Sequence, residues 1–336
     1  MKKIITILIS ILFLTTGCIS YTELNDIGIV NAIGINKAND KYEITINMLI
    51  PEDDNLEQTK RFKTTSTNLE EAINDLYSKS LRKIYLSHLD LLMLGDNLQR
   101  DDYDQINNLY FNRNDSRNTF STIIIKNYNS KSIFSFKTKN INSLLKVNSE
   151  ENGLVKIKQF DDIVKDILEK DISYVPILEL KDEPKILGYK TIYKNNKILS
   201  TNDSLAYNFI TNNINQTTII SKDKNINFKV NESITNIKTD KNNITININS
   251  NITILSNDTN IKNEKKIKKI YEDELKSLLT NYIDNNEHSY FYTLIKKYDY
   301  NYYINNKDAK LNFKFQISSS INENSNTIGG KNYENK

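Results

Sequence analysis

The chain has 336 residues, 38% of them hydrophobic, and 45 lysines and arginines stand against 42 aspartates and glutamates for a net charge of +3. That balance gives no reason to invoke nucleic acid, and the length suggests two or three domains. One cysteine excludes an intramolecular disulfide framework, and two histidines with that one cysteine exclude an ordinary zinc site.

Lys2 and Lys3 open the chain, an apolar run covers Ile4 to Leu14, and Thr15, Thr16 and Gly17 lead into Cys18. This is the layout of a secretory signal peptide. The run is too short to cross a hydrocarbon core of about 30 Å. A cysteine directly after a small residue matches the lipobox of bacterial lipoproteins, where the peptidase cuts before a cysteine carrying diacylglycerol. Thr15 departs from that pattern, which expects leucine at its place; Leu14 is one position early. Cys18 is therefore read as a lipidation site, with residues 1–17 as leader and 18–26 as tether. A diacylglyceryl cysteine brings at least two acyl chains, enough for stable anchoring where one chain is marginal.

Residues 27–35 read as a largely buried strand, 36–40 as turn chemistry, and Tyr42 to Ile50 as a half-buried strand, so the three form a hairpin. Pro51 to Glu57 reads as a loop. Thr67 with Glu70 forms a capping box, and Leu69, Ala72, Ile73, Leu76 and Tyr77 share one face of the helix that follows. Ile84 to Gly95 reads as one long apolar strand. A helix over 101–112 and a strand over 120–125 come next. Residues 127–158 carry no clear pattern. A helix over 160–169 places Phe160, Ile163, Val164, Ile167 and Leu168 inward. Pro176 and Pro184 bracket a link. Lys190 to Tyr193 and Lys197 to Leu199 form a hairpin around Asn195-Asn196, before a short helix over 203–211. Alternating runs follow at Ile226–Val230, Ile244–Ile248 and Ile252–Ile254, then an amphipathic helix over 262–283. Its inner face is Ile267, Ile270, Tyr271, Leu275, Leu278, Leu279 and Tyr282. The last strand carries Leu311, Phe313, Phe315 and Ile317, and the Ser- and Asn-rich tail over 319–336 reads as disordered. The fold class is α+β, a mixed α/β chain with a 27–185 region, broken near 127–158, and a 186–318 domain.

No catalytic constellation emerges. His88 and Ser87 are neighbours on the expected strand and point to opposite faces, so they cannot pair; His88 is read as a half-buried sheet residue. Glu52-Asp53-Asp54 is a solvated loop cluster before it is a calcium site. Arg113 and Arg117 are candidates for contact with an acidic partner, with a surface ion pair as the plainer alternative. The tyrosines at 290, 292, 298, 300, 302 and 303 are a second candidate contact surface. No cofactor and no metal site are expected.

The stretch from Glu23 to Asn36, ELNDIGIVNAIGIN, resembles the opening of the Ger(x)C family, lipoprotein C subunits of the tripartite nutrient germinant receptors of bacterial spores. Leu86-Ser87-His88-Leu89 with Gly95 is similar to that family's S-H…G-E segment, Arg113 and Arg117 to its R-x-x-x-R, and Gly188 to Ile198 to the start of its C-terminal domain. Ile19-Ser20 replaces the usual Trp-Asp, Asn36 replaces aspartate, and the C-terminal tryptophans are missing, so the likeness is to a divergent member. The resemblance implies three α/β domains, each a sheet flanked by helices. It also implies a non-enzymatic protein on the outer face of the spore inner membrane, held through Cys18 and partnered with membrane A and B subunits. The competing expectation is a lipoprotein that captures a solute for an importer.

Overall fold

The computed structural model describes residues 26–50, 58–111, 117, 119–130, 133, 138–181, 183–193, 196–240, 243–257, 261, 263–285, 299–306 and 311–322. Strand β1 (Ile27–Ala38) turns at Asn39 and Asp40, with φ of 50° and 58°, into β2 (Lys41–Ile50). Two successive left-handed residues make the hairpin turn whose twist suits its strands, and Asn and Asp adopt that backbone more readily than most residues. β3 (Gln58–Ser66) adds the edge.

Helix α1 (Leu69–Lys79) follows. Its cap differs from the expected Thr67. Asn68 is extended (φ −127°, ψ 137°), and its Oδ1 accepts from the N–H groups of Glu70 at 2.8 Å and Glu71 at 3.4 Å. The Glu71 carboxylate in turn accepts from the Ser66 hydroxyl. The cap is thus one residue later than the Thr-x-x-Glu spacing suggests, because Asn caps at least as well as Thr and from position 68 reaches the N–H groups of Glu70 and Glu71.

The expected strand from Ile84 to Gly95 is broken in two, β4 (Lys83–Tyr85) and β5 (Leu91–Gly95). Both pair in parallel with β1: Tyr85 lies opposite Ile29 and Leu91 opposite Ala32. Six steps on one side meet three on the other, and the surplus folds into a turn closed by the Leu89 N–H on the Leu86 carbonyl at 3.0 Å. Ser87 and His88 therefore lie on a turn and not on a strand.

Helix α2 (Arg100–Phe111), β6 (Ser121–Lys126), α3 (Thr138–Glu150) and α4 (Phe160–Lys170) lead to β7 (Ser173–Leu180) and β8 (Pro184–Ile192). α3 fills part of the stretch that showed no pattern. The Pro176–Pro184 segment is not a link, since β7 and β8 form an antiparallel pair that joins the first sheet. That sheet runs β3-β2-β1-β5-β6-β7-β8, with β4 also on β1. Its middle is parallel, and β5 is buried along its whole length, as expected of a strand covered on both faces. α1, α2 and α4 pack on one face with Ile33, Ile44, Leu92, Ile124 and Ile177. On α4 the inward residues are Phe160, Ile163, Asp166 and Ile167; Leu168, expected inside, is 79% exposed.

The rest forms a second sheet, ordered β12-β11-β10-β9. Helix α5 (Thr201–Ile210) precedes β9 (Thr217–Ser221), β10 (Ile226–Asp240) and β11 (Asn243–Asn257). Then come α6 (Glu264–Asn285), the short α7 (Tyr300–Asn306) and β12 (Asn312–Ile321). β12 is parallel to β11, so the chain must cross over between them, and α6 is in that crossover. Ile267, Tyr271, Leu275, Leu279, Tyr282 and Ile283 are the buried face of α6, while Ile270 and Leu278 are only half-buried. β12 continues through Ser319, Ser320 and Ile321, residues read from the sequence as the start of a disordered tail. One apolar core joins the other face of the first sheet, α3, α5, the second sheet and α6. Its seam is aromatic: Tyr174 of β7 stacks on Tyr207 of α5 at 4.0 Å and 19°.

Candidate functional site

Segments distant in sequence meet at the C-terminal ends of β1 and β5. Asn36, 8% exposed, lies against Gly95, where a Cβ would run into its side-chain oxygen. Gly34 is similarly covered by the Tyr128 hydroxyl. The glycines allow these close approaches because any side chain would occupy the same space. The connection from β5 to α2 then receives the hairpin that follows β8. Lys190 is 3% exposed, and its Nζ donates to the Asp96 carbonyl. Asn196 Nδ2 donates to Gln99 Oε1 at 3.0 Å, and the Tyr193 hydroxyl donates to Asp104 Oδ1 at 2.8 Å. The Arg100 guanidinium sits 4.4 Å from the Tyr193 ring centre. Burial draws the Lys190 ammonium below its usual range, against the opposing pull of Asp96.

Two buried carboxylates brace the first sheet. Asp102 is 2% exposed and accepts from Lys37 Nζ at 2.7 Å, the Tyr42 hydroxyl at 2.5 Å and the Gln99 N–H at 2.8 Å. Asp166 accepts from Lys158 at 2.5 Å, Lys170 at 2.6 Å and Ser173 at 3.2 Å. Burial pushes both carboxyls up, but the donors outweigh it and hold both below the ordinary carboxylate range. Gly188 has a φ of +127°, and a Cβ there would meet Ser204 Oγ, which accepts the Tyr189 N–H at 3.0 Å. The Tyr189 hydroxyl accepts from the Lys156 N–H and donates to Asn208 at 2.8 Å. These groups are held by one another. A nucleophile beside a base is not among them, and among the described residues no cluster of His, Cys, Asp and Glu could hold a metal ion. The arrangement is chemically a clamp.

The sequence profile described as "Spore germination protein N-terminal domain" matches residues 20–180. That span contains the ELNDIGIVNAIGIN opening and the β4–β5 segment, whose residues meet in this clamp. Over that span the chain carries the N-terminal domain of a Ger(x)C spore germination protein. Its fold is similar to the crystal structure of the GerBC protein, with a TM-score of 0.55 at 16% identity, over 86% of this chain and 96% of that one. No curated protein matches this Ger(x)C chain in sequence.

Of the residues singled out from sequence, Cys18, Arg113, Glu52-Asp53-Asp54, Tyr290, Tyr292 and Tyr298 lie outside the described residues. Arg117 is exposed, and its Nε donates to Thr119 Oγ1, a contact within its own loop. His88 is exposed on its turn, 5.7 Å from the Tyr85 ring, and is not half-buried on a sheet. Tyr302 is buried. Lys190, Tyr193, Asp102 and Asp166 escaped the sequence reading. The one signal available was position: Lys190 and Tyr193 fall inside the Gly188–Ile198 segment that carries the resemblance.

A cleft of about 460 Å³ lies between α5, β9 and α6, lined by Leu205, Ile219 and Leu278 with Lys222, Asp223 and Glu274. Glu274 is engaged by the Ser221 hydroxyl at 2.6 Å. Among the described residues no helix is long and apolar enough to cross a membrane.

Proposed function

We propose that this Ger(x)C protein is a lipid-anchored, non-enzymatic subunit of a nutrient germinant receptor. It is held at the outer face of the spore inner membrane through Cys18 and works by docking to membrane A and B subunits. The observation that carries the reading is the family match over residues 20–180. The clamp supports it: segments that carry the resemblance are packed rigidly against one another, as a docking scaffold needs. An anchor confines the folded part to a thin layer above the bilayer, which raises its effective concentration beside membrane partners.

The test is a spore germination assay on a deletion strain with a panel of amino acids and sugars, together with crosslinking to the membrane subunits. The expected result is loss of response to one class of nutrient, normal dormancy, and a crosslink to at least one subunit. Normal germination to every nutrient with no crosslink would transfer the weight to solute capture for an importer. For the anchor, Cys18→Ala should move the protein from the detergent phase to the aqueous phase; equal partitioning of both forms would refute lipidation.

A further inference from the structure

Leu81, in the connection from α1 to β4, is 98% exposed. The turn that carries it is tied down. Ser80 caps α1 in an extended conformation (φ −85°, ψ 130°), with its N–H on the Leu76 carbonyl at 3.1 Å. Its hydroxyl donates to the Arg82 carbonyl at 2.7 Å and accepts from the Arg82 N–H at 3.3 Å. A hydroxyl that bridges to the backbone two residues on fixes the residue between them at an apex. Leu81 is therefore presented to solvent by an ordered turn. Exposed Lys79, paired with Asp75, and exposed Lys83 flank it, and Arg82 is half-buried.

The place of this turn in the fold gives it a partner. Lys83 lies opposite Ile27 and Ile84 opposite Gly28 in the parallel β4–β1 ladder. Leu81 is thus at the end of the first sheet where the chain arrives from its N-terminal segment. Eight residues lie between Cys18 and Ile27, a reach of at most about 30 Å when fully extended. On the reading of Cys18 as a lipid anchor, that end of the sheet is kept close to the bilayer. We propose that the Ser80–Lys83 turn is a bilayer contact, in which Leu81 enters the headgroup–acyl boundary while Arg82 and Lys83 meet lipid phosphates. A single leucine binds a membrane weakly alone, and the tether makes the contact effective by confining it there. A tether leaves orientation free; a second point of contact fixes which face of the protein looks along the membrane.

The chain has no tryptophan, so Leu81→Trp introduces a single reporter at a position where bulk is tolerated. The full-length lipidated variant is reconstituted into phosphatidylcholine vesicles with brominated acyl chains. The expected result is a blue-shifted emission that the bromines quench. Ile220→Trp, at a 55% exposed site on β9, should stay unquenched. An L81W protein that sediments with the vesicles but is not quenched, or quenching equal at both sites, would overturn the contact and leave the anchor standing. Sedimentation of a Cys18→Ala form equal to that of the parent would overturn the anchor, and quenching of L81W in that background would then decide the contact by itself.

Discussion

Asp166 illustrates how a single charge is accommodated inside an otherwise apolar face. It is 9% exposed, between Lys158 and Lys170, at a position where the helical pattern of Phe160, Ile163 and Ile167 invited an apolar residue. Removing one partner of a buried ion group leaves the others uncompensated, so Asp166→Asn should cost about 3 kcal/mol in chemical denaturation. The sign of the pH effect follows. The carboxyl sits below its unfolded value of about 3.9, so its stabilisation is complete above that value and is lost as pH falls through the folded one. From about pH 5 downward the parent should lose stability faster than D166N, and the two curves should converge; parallel curves would remove Asp166 from the account. Gly188 is a second such position. With φ at +127° and Ser204 Oγ where a Cβ would stand, Gly188→Ala should cost about 1–3 kcal/mol, read as a lower Tm, and an unchanged Tm would show that the backbone can relax.

At the scale of elements, α6 separates what periodicity predicts from what packing selects. Leu275 and Leu279 are fully buried, Leu278 is half-buried at the edge of the cleft, and Lys276 is exposed. Leu279→Ala should therefore cost about 2–5 kcal/mol, Leu278→Ala less, and Lys276→Ala almost nothing. Thermal melts in which Leu278→Ala is as damaging as Leu279→Ala would place the buried stripe elsewhere. The hairpin β1–β2 was plain in the sequence because its turn residues and its alternation agree. The β4–β5 break was not, because six steps against three is a fact about pairing with β1 and leaves no mark on a run of leucines. α3 was missed for a related reason: among its described side chains Ile141 and Leu145 are buried and Leu144 half-buried, too few for a periodic signal.

In the whole molecule the two sheets share one apolar core, crossed by the Tyr174–Tyr207 stack and flanked by the Lys190–Asp96 and Tyr193–Asp104 bonds. Calorimetry should show a single unfolding transition, since neither sheet can open its shared face without exposing the other; two separated transitions would mean that the shared core contributes little coupling. β8 spans Pro184–Ile192, across the 185/186 point at which the sequence was divided after the proline-bracketed link. Alternation and helical period, which are local, determined most of the elements, the mixed α/β class and, through a few motif segments, the family. They act within one turn or one strand, so a chain read in order exposes them. What only the tertiary structure decided were the partners: Asn68 and not Thr67 at the cap, the broken strand, Pro176 inside a sheet, and Lys190 buried against Asp96. Each depends on which distant backbone lies alongside, and burial with hydrogen bonding to that neighbour outweighs the local preference.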